Sequence, residues 1–289
     1  DFDGDLVADL VLAARFEGDG RVYVIRGGAQ LGPSGSDVPL PNGVPANDLE
    51  GFIIDAPANT GDFGISVAAV GAGADGRGDL VIGANGFFSG ADGAVSFIPG
   101  QGYTGPGLTT PATGASVFAT GTSVEFGSLV RAIGDFDGDG TGDVAVSVSD
   151  GSLVGRVDVF TRASGNGGFD SSDVLHFEND TLEQVNWGAY MASGLHPDLG
   201  LIADLDKDGS GELLVGAFGV TASADLFYGG TGATARDRSE ADHRFTGGAG
   251  DLVPIFVGDV NGDGYNDIAV LEYDPIGDPS VVPKITVLY

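Results

Sequence analysis

Five times in 289 residues the chain repeats a nine-residue loop rich in Asp and Gly and then runs straight into an apolar stretch. Residues 135–143 read DFDGDGTGD, and related runs stand at 1–9 (DFDGDLVAD), 204–212 (DLDKDGSGE) and 259–267 (DVNGDGYND). A worn copy, GAGADGRGD, covers 71–79. The starts at 1, 71, 135, 204 and 259 are 70, 64, 69 and 55 residues apart. Nothing else in the chain restricts its fold as tightly, because self-similarity at a long period marks a repeat architecture.

The flanks repeat as well. Ahead of the loop come FGISVAAVG (63–71), FGSLVRAIG (126–134) and, more loosely, WGAYMASG (187–194). Behind it come DLVLAA, DLVIGA, DVAVSV, ELLVGA and DIAVLE. A third apolar segment follows at 20–25, 93–98, 155–160, 224–229 and 284–289, and a fourth at 51–56, 115–120, 173–178 and 242–247. Each is short, rich in β-branched or aromatic residues and bounded by Gly, Asp or Pro, which predicts strands. No helical period of 3.6 is present. Each repeat therefore reads strand, aspartate loop, strand, strand, strand. A lone unit of that kind cannot bury both faces, whereas radial stacking buries them all. The expected fold is all-β: a β-propeller, 1–289 forming a single domain or fragment with repeats at about 1–50, 51–114, 115–172, 173–241 and 242–289. A β-sandwich with decorated loops fits the fixed period poorly. The first repeat lacks its first strand and the last its fourth, and open edges invite mispairing. A larger parent propeller of six or seven blades is therefore expected, with chain upstream of Asp1.

Formal net charge is -30, with 42 acidic residues against 12 basic ones and only two lysines, Lys207 and Lys284. That balance excludes a nucleic-acid partner, which needs a basic face, and disfavours anionic membrane surfaces. It suits cations, basic partners or neutral glycans. Absence of cysteine excludes thiol catalysis, disulfides and Cys-based zinc sites. No apolar run of about 18 residues exists, so no membrane span is expected.

The FG dipeptide, the D-x-D-G-D-G-x-x-D loop and the following apolar strand resemble FG-GAP repeats, the units of the integrin α propeller. The likeness covers nearly the whole chain. Departures are the missing FG strand of the first copy, the degenerate second loop, Trp187-Gly188 in the fourth copy and the absent FG pair in the fifth.

Clustered carboxylates repel unless neutralised, and hard oxygen donors suit Ca2+, which takes roughly 6–8 of them. FG-GAP loops bind calcium in this arrangement, and the resemblance implies the same here. The expected ligand sets are Asp1, Asp3, Asp5, Val7 and Asp9; Asp135, Asp137, Asp139, Thr141 and Asp143; Asp204, Asp206, Asp208, Ser210 and Glu212; and Asp259, Asn261, Asp263, Tyr265 and Asp267. The seventh residue of each offers its carbonyl. An EF-hand is excluded, since its twelfth-position Glu is replaced by Leu12, Val146, Val215 and Val270. Magnesium is the weaker rival because it keeps its waters; a solvated acidic turn without metal is the bland alternative. About four calcium sites are expected, with the copy at 71–79, which keeps only Asp75 and Asp79, empty or weak.

Other features carry less. Arg77-Gly78-Asp79 spells an adhesion tripeptide but also merely fills the seventh to ninth loop positions. His176 and His243 lie in fourth-strand segments and read as packing or edge residues. His196, beside Asp198, is the one acid–base pair in view. Asn179-Asp180-Thr181 is a glycosylation sequon. The Gly/Pro-rich loops 27–50 and 99–114 read as surface connections. No nucleophile elbow, P-loop or HExxH is present. The functional expectation is an extracellular or cell-surface, calcium-stabilised binding or adhesion module. Its ligand is a protein, a glycan or another part of its own assembly, with no catalytic residues assigned. The contrasting readings are a carbohydrate-active propeller enzyme such as a polysaccharide lyase, and a purely structural repeat of a large surface or filament protein.

Overall fold

A computed structural model describes residues 1–28, 49–71, 75–86, 92–103, 105, 107–121, 126–148, 155–162, 168–179, 185–191, 204–219, 223–247, 251–273 and 284–288. The strands fall where the apolar segments predict them. The first sheet holds β1 (Leu10–Ala14), β2 (Arg21–Ile25) and β3 (Gly51–Asp55). The second holds β4 (Ser66–Val70), β5 (Asp79–Ala84), β6 (Gly93–Ile98) and, after the two-residue β7 (Leu108–Thr109), β8 (Ser116–Gly121). The third holds β9 (Val130–Gly134), β10 (Asp143–Val148), β11 (Arg156–Arg162) and β12 (Phe169–Glu178). The fourth holds β13 (Val185–Met191), β14 (Leu213–Gly219) and β15 (Ser223–Phe227) and, after the short β16 (Arg236–Asp237), β17 (His243–Thr246). The fifth holds β18 (Asp251–Gly258), β19 (Asp267–Tyr273) and β20 (Lys284–Leu288). Sheets are thus one strand out of phase with repeats cut ahead of the fourth apolar segment: β3 at Gly51 closes the first sheet.

Neighbouring strands within each sheet are antiparallel, as in Val144↔Phe160 of β10 and β11. The strand behind the aspartate loop is deeply buried in the second and third sheets, whereas β1 of the first stays partly exposed. β5 is buried along its whole length, and β10 over Asp143–Ser147. Burial on both faces follows from packing between neighbouring sheets, which removes the polar alternation of a half-exposed strand. One apolar seam runs from Ala68 and Val81 through Val144 and Phe160 to Leu214, Leu252 and Ile268, joining sheets two to five. A second joins Phe2 and, from the first sheet, Val22 and Phe52 to Leu80 and Ile98 of the second sheet. A third clusters Phe136, Phe177 and Phe227, with the Phe177 and Phe227 rings edge-on at 5.0 Å.

The FG pair has a packing reason. Phe63 and Phe126 are buried in the core. Gly127 takes φ +80°, and a Cβ there would lie 2.7 Å from the Ala94 carbonyl oxygen. Only glycine accepts both the left-handed φ and that approach.

Two short straps tie sheets together. β7 pairs in parallel with β3, Gly51 opposite Leu108, and β16 pairs in parallel with β12, Phe177 opposite Arg236. Each strap comes from one sheet's outer connection and covers the open edge of the preceding sheet. Behind β16, a single 3-10 turn (Arg238–Glu240) buries Arg238, which donates to Asp225 at 3.0 Å and to the Ser223 hydroxyl at 2.9 Å.

Candidate metal loops

The loop backbone is shaped by two left-handed residues. Positions 4 and 6 take positive φ: Gly138 and Gly140 at 76° and 90°, Gly262 and Gly264 at 80° and 89°. Glycine meets that demand without steric cost. Two positions depart: Leu6 stands at φ 69° in the first loop and Lys207 at φ 64° in the fourth.

With that path set, the carboxylates fold inward onto amides. The first-position aspartate takes the sixth-position N–H: Leu6 to Asp1 at 2.9 Å, Gly140 to Asp135 at 2.8 Å, Gly209 to Asp204 at 3.1 Å, Gly264 to Asp259 at 2.7 Å. The third-position side chain takes the fifth-position N–H, and the fifth takes the seventh, as Thr141 N–H to Asp139 at 2.8 Å. The ninth-position carboxylate clamps the loop to the sheet. Asp9 accepts from the Phe2 and Gly27 amides, Asp143 from Phe136 and Arg162, Glu212 from Leu205 and Asp267 from Val260, all at 2.7–2.9 Å.

Three loops bring carboxylate oxygens within 4.8 Å of one another: Asp204, Asp206, Asp208 and Glu212; Asp1, Asp3 and Asp5; and Asp135, Asp137 and Asp143. The fourth loop gathers four carboxylates, the others three each. Asp139 and Asp9 stand outside these sets. Asp139 turns to the Thr141 amide and hydroxyl, and both Asp9 oxygens are taken by amides. In the fifth loop Asn261 replaces a carboxylate and donates to Asp263 at 2.9 Å. Val7, Thr141, Ser210 and Tyr265 sit at the seventh position, their amides on the fifth-position carboxylates.

Charge accumulates without relief in two loops. Burial, partly opposed by amide donors, pushes the Asp143 carboxyl up to about 8. Burial, with Asp204, Asp206 and Asp208 adding repulsion, does the same to Glu212, to about 8. Asp204 Oδ1 and Asp267 Oδ1 are buried without a hydrogen-bond partner. Buried lone pairs converging without donors fit a hard cation.

The first and second loops carry an internal cation. Arg26, at the end of β2, places Nε 2.9 Å from Asp3 and Nη2 2.9 Å from Asp5, with Nη1 3.1 Å from Glu50. Arg162, at the end of β11, places Nη2 2.6 Å from Asp79 with both side chains buried. The Asp of the adhesion-like tripeptide is thus enclosed, its other oxygen on the Gly100 amide at 2.7 Å. Sequence reasoning missed both arginines; the available signal was a basic residue closing the third apolar segment, in RVYVIR and RVDVFTR. His176 lies exposed, 2.7 Å from Asp158, and His243 lies edge-on to Tyr228. His196, Asp198, Asp180 and Thr181 lie outside the described residues, as does most of 27–50.

The loops also join one another. The eighth-position amide of one loop donates to the first-position carbonyl of the loop before it: Gly78 to Asp1 at 2.7 Å and Gly211 to Asp135 at 2.8 Å. In the fifth loop the Asn266 side-chain amide reaches Asp204 O at 3.3 Å.

No family model matches the chain. Among curated proteins it is 32% identical over 198 residues to integrin alpha-5 of Xenopus laevis, covering 67% of this chain and 18% of that protein. It is 28% identical over 236 residues to integrin alpha-V of Gallus gallus, covering 76% of this chain and 21% of that protein. The chain thus spans about a fifth of the length of these relatives. Among the described residues no helix is long and apolar enough to cross a membrane. Repeated FG pairs, aspartate loops between the first two strands of a sheet, five stacked sheets and this similarity place the chain with the FG-GAP β-propellers of the integrin α type.

Proposed function

We propose that the chain is a calcium-stabilised propeller that works at or outside the cell surface as a binding module for a protein or a glycan. The observation that carries the metal assignment is the fourth loop, where four carboxylates converge and Asp204 Oδ1 is buried without a donor. In this reading Ca2+ is held by Asp204, Asp206, Asp208, Glu212 and the Ser210 carbonyl. Equivalent sets are Asp135 to Asp143, Asp259 to Asp267 and, sharing its charge with Arg26, Asp1 to Asp9. The loop at 71–79 binds weakly or not at all, a reading supported by Arg162 beside Asp79. A cation there cancels repulsion among carboxylates, so its role is to hold the hairpins in place.

The binding role draws on the similarity to integrin alpha-5 and alpha-V and on a rigid all-β scaffold that presents loops. The test is retention of the purified chain on a panel of matrix proteins and glycans, in calcium and in EDTA, with the glycans checked for cleavage. Calcium-dependent retention without cleavage is expected. Cleaved product overturns the reading in favour of a carbohydrate-active enzyme. Absence of retention on every surface overturns it in favour of a structural repeat.

A further inference from the structure

A cleft of about 910 Å³ opens between β8 of the second sheet and β11 and β12 of the third. That volume is in the range of small-ligand sites, roughly 300–1,000 Å³. One wall is a two-strand ladder. Arg156 stands opposite Glu178, Asp158 opposite His176 and Phe160 opposite Val174, so alternate residues of both strands face the cleft. Asp158 is buried and locks the ladder: Arg156 Nε lies 2.8 Å from its Oδ1, Arg156 Nη2 donates to its Oδ2 at 3.0 Å, and His176 Nδ1 lies 2.7 Å from Oδ1. The facing wall is Val117, Thr120 and the half-buried Phe118, whose ring is edge-on to Phe160 at 5.3 Å and stacked on Phe169 at 5.1 Å.

The charges on this wall alternate in sign. A strongly anionic ligand meets Asp158 and Glu178, and a cationic one meets Arg156. What remains is a close set of fixed donors and acceptors beside an aromatic surface: guanidinium N–H groups, carboxylate lone pairs, an imidazole and a hydroxyl. A neutral ring with hydroxyls on its edge and C–H groups on its faces satisfies both walls at once. The chain's net charge of -30 further disfavours acidic sugars. We propose that the cleft between the second and third sheets binds a neutral saccharide, its hydroxyls on Arg156, Asp158 and His176 and its apolar face toward Val117 and the part of Phe118 left uncovered by Phe160 and Phe169. This site rests on the binding-module reading and gives it a ligand class.

The test is saturation-transfer NMR on the full chain in calcium, with the methyl glycosides of glucose, galactose, mannose and fucose as probes, followed by titration of the strongest. At least one glycoside is expected to bind. Val117→Trp, at an exposed position that fills the cleft mouth, and His176→Ala are each expected to weaken it about tenfold or more while melting stays within a few degrees of the parent. No glycoside binding, with calcium-dependent capture of a matrix protein intact, overturns the saccharide site and leaves the module reading standing. Binding unchanged by both substitutions places the sugar elsewhere and overturns the site. A lysine-bearing peptide that binds in place of every glycoside and is lost in Glu178→Gln also overturns it.

Discussion

The amide of Gly211 donates to the carbonyl of Asp135 at 2.8 Å, joining the fourth aspartate loop to the third. A Cβ on Gly211 would lie 1.9 Å from the Ile133 carbonyl oxygen. Gly211→Ala therefore forces backbone against backbone and is expected to cost about 3 kcal/mol or more. Gly209, at φ 92° with open space around it, is the control; Gly209→Ala is expected to cost about 1–2 kcal/mol of backbone strain alone. Urea titration of the two variants checks the order.

Leu6 holds a left-handed conformation at φ 69° with its side chain 92% exposed, so it has little packing to lose. The strain of about 1–2 kcal/mol exceeds the extra chain entropy of glycine, about 0.5–1 kcal/mol. Leu6→Gly is thus expected to stabilise by up to about 1 kcal/mol, read as an upward shift in melting temperature. Lys207→Gly offers less, because Lys207 Nζ sits 3.9 Å from the centre of the Tyr265 ring and that contact would be lost.

Arg162 and Asp79 form an ion pair with both side chains almost fully buried. Arg162→Met strands a buried carboxylate and is expected to cost about 3–5 kcal/mol. Adding Asp79→Asn removes that charge and should recover a large part of the loss. A double-mutant cycle measures it; two additive penalties would contradict the pairing.

Calcium held a hundredfold above its dissociation constant adds about 2.7 kcal/mol per site if only the folded chain binds it. EDTA is therefore expected to lower the melting temperature sharply. Asp204→Asn combined with Glu212→Gln is expected to remove one site from the calorimetric stoichiometry. An unchanged melt in EDTA would sink the structural role of the metal.

The chelated protein has its own pH signature. Asp143 and Glu212 are raised to about 8 without a cation, against unfolded values of about 4. Between those limits the folded chain carries more protons than the unfolded one, so stability falls as pH rises. In EDTA, melting is expected to be higher near pH ~5.5 than near pH ~8. In calcium the order reverses, because protons compete for the ligands as pH drops. Melts at both pH values, with and without chelator, check the crossing.

Most of this architecture can be read from the chain because each repeat states it again. GAVSFI and GRVDVF are ambiguous alone, but at fixed distances behind aspartate loops they can only be third strands. The loop chemistry is equally open, since alternate carboxylates and left-handed glycines are local properties. What escapes is pairing over long separations. β7, which sets Leu108 against Gly51, and β16, which sets Arg236 against Phe177, are two-residue strands, too short to show a period. Arg26 and Arg162 look like ordinary strand ends until folding carries them onto Asp3, Asp5 and Asp79. The saccharide cleft depends on the register that sets Asp158 opposite His176, which no single segment encodes.

The straps give the chain a direction of assembly. Among the described residues the edge of β3 is closed by Leu108 and Thr109, and that of β12 by Arg236 and Asp237. The first and third sheets are each finished by residues that leave the ribosome later than their own strands. A nascent chain stopped at residue 100 would own every hairpin of its first blade and still show a bare rim. At these two seams the propeller is laid like overlapping roof tiles, the second sheet sealing the first and the fourth sealing the third.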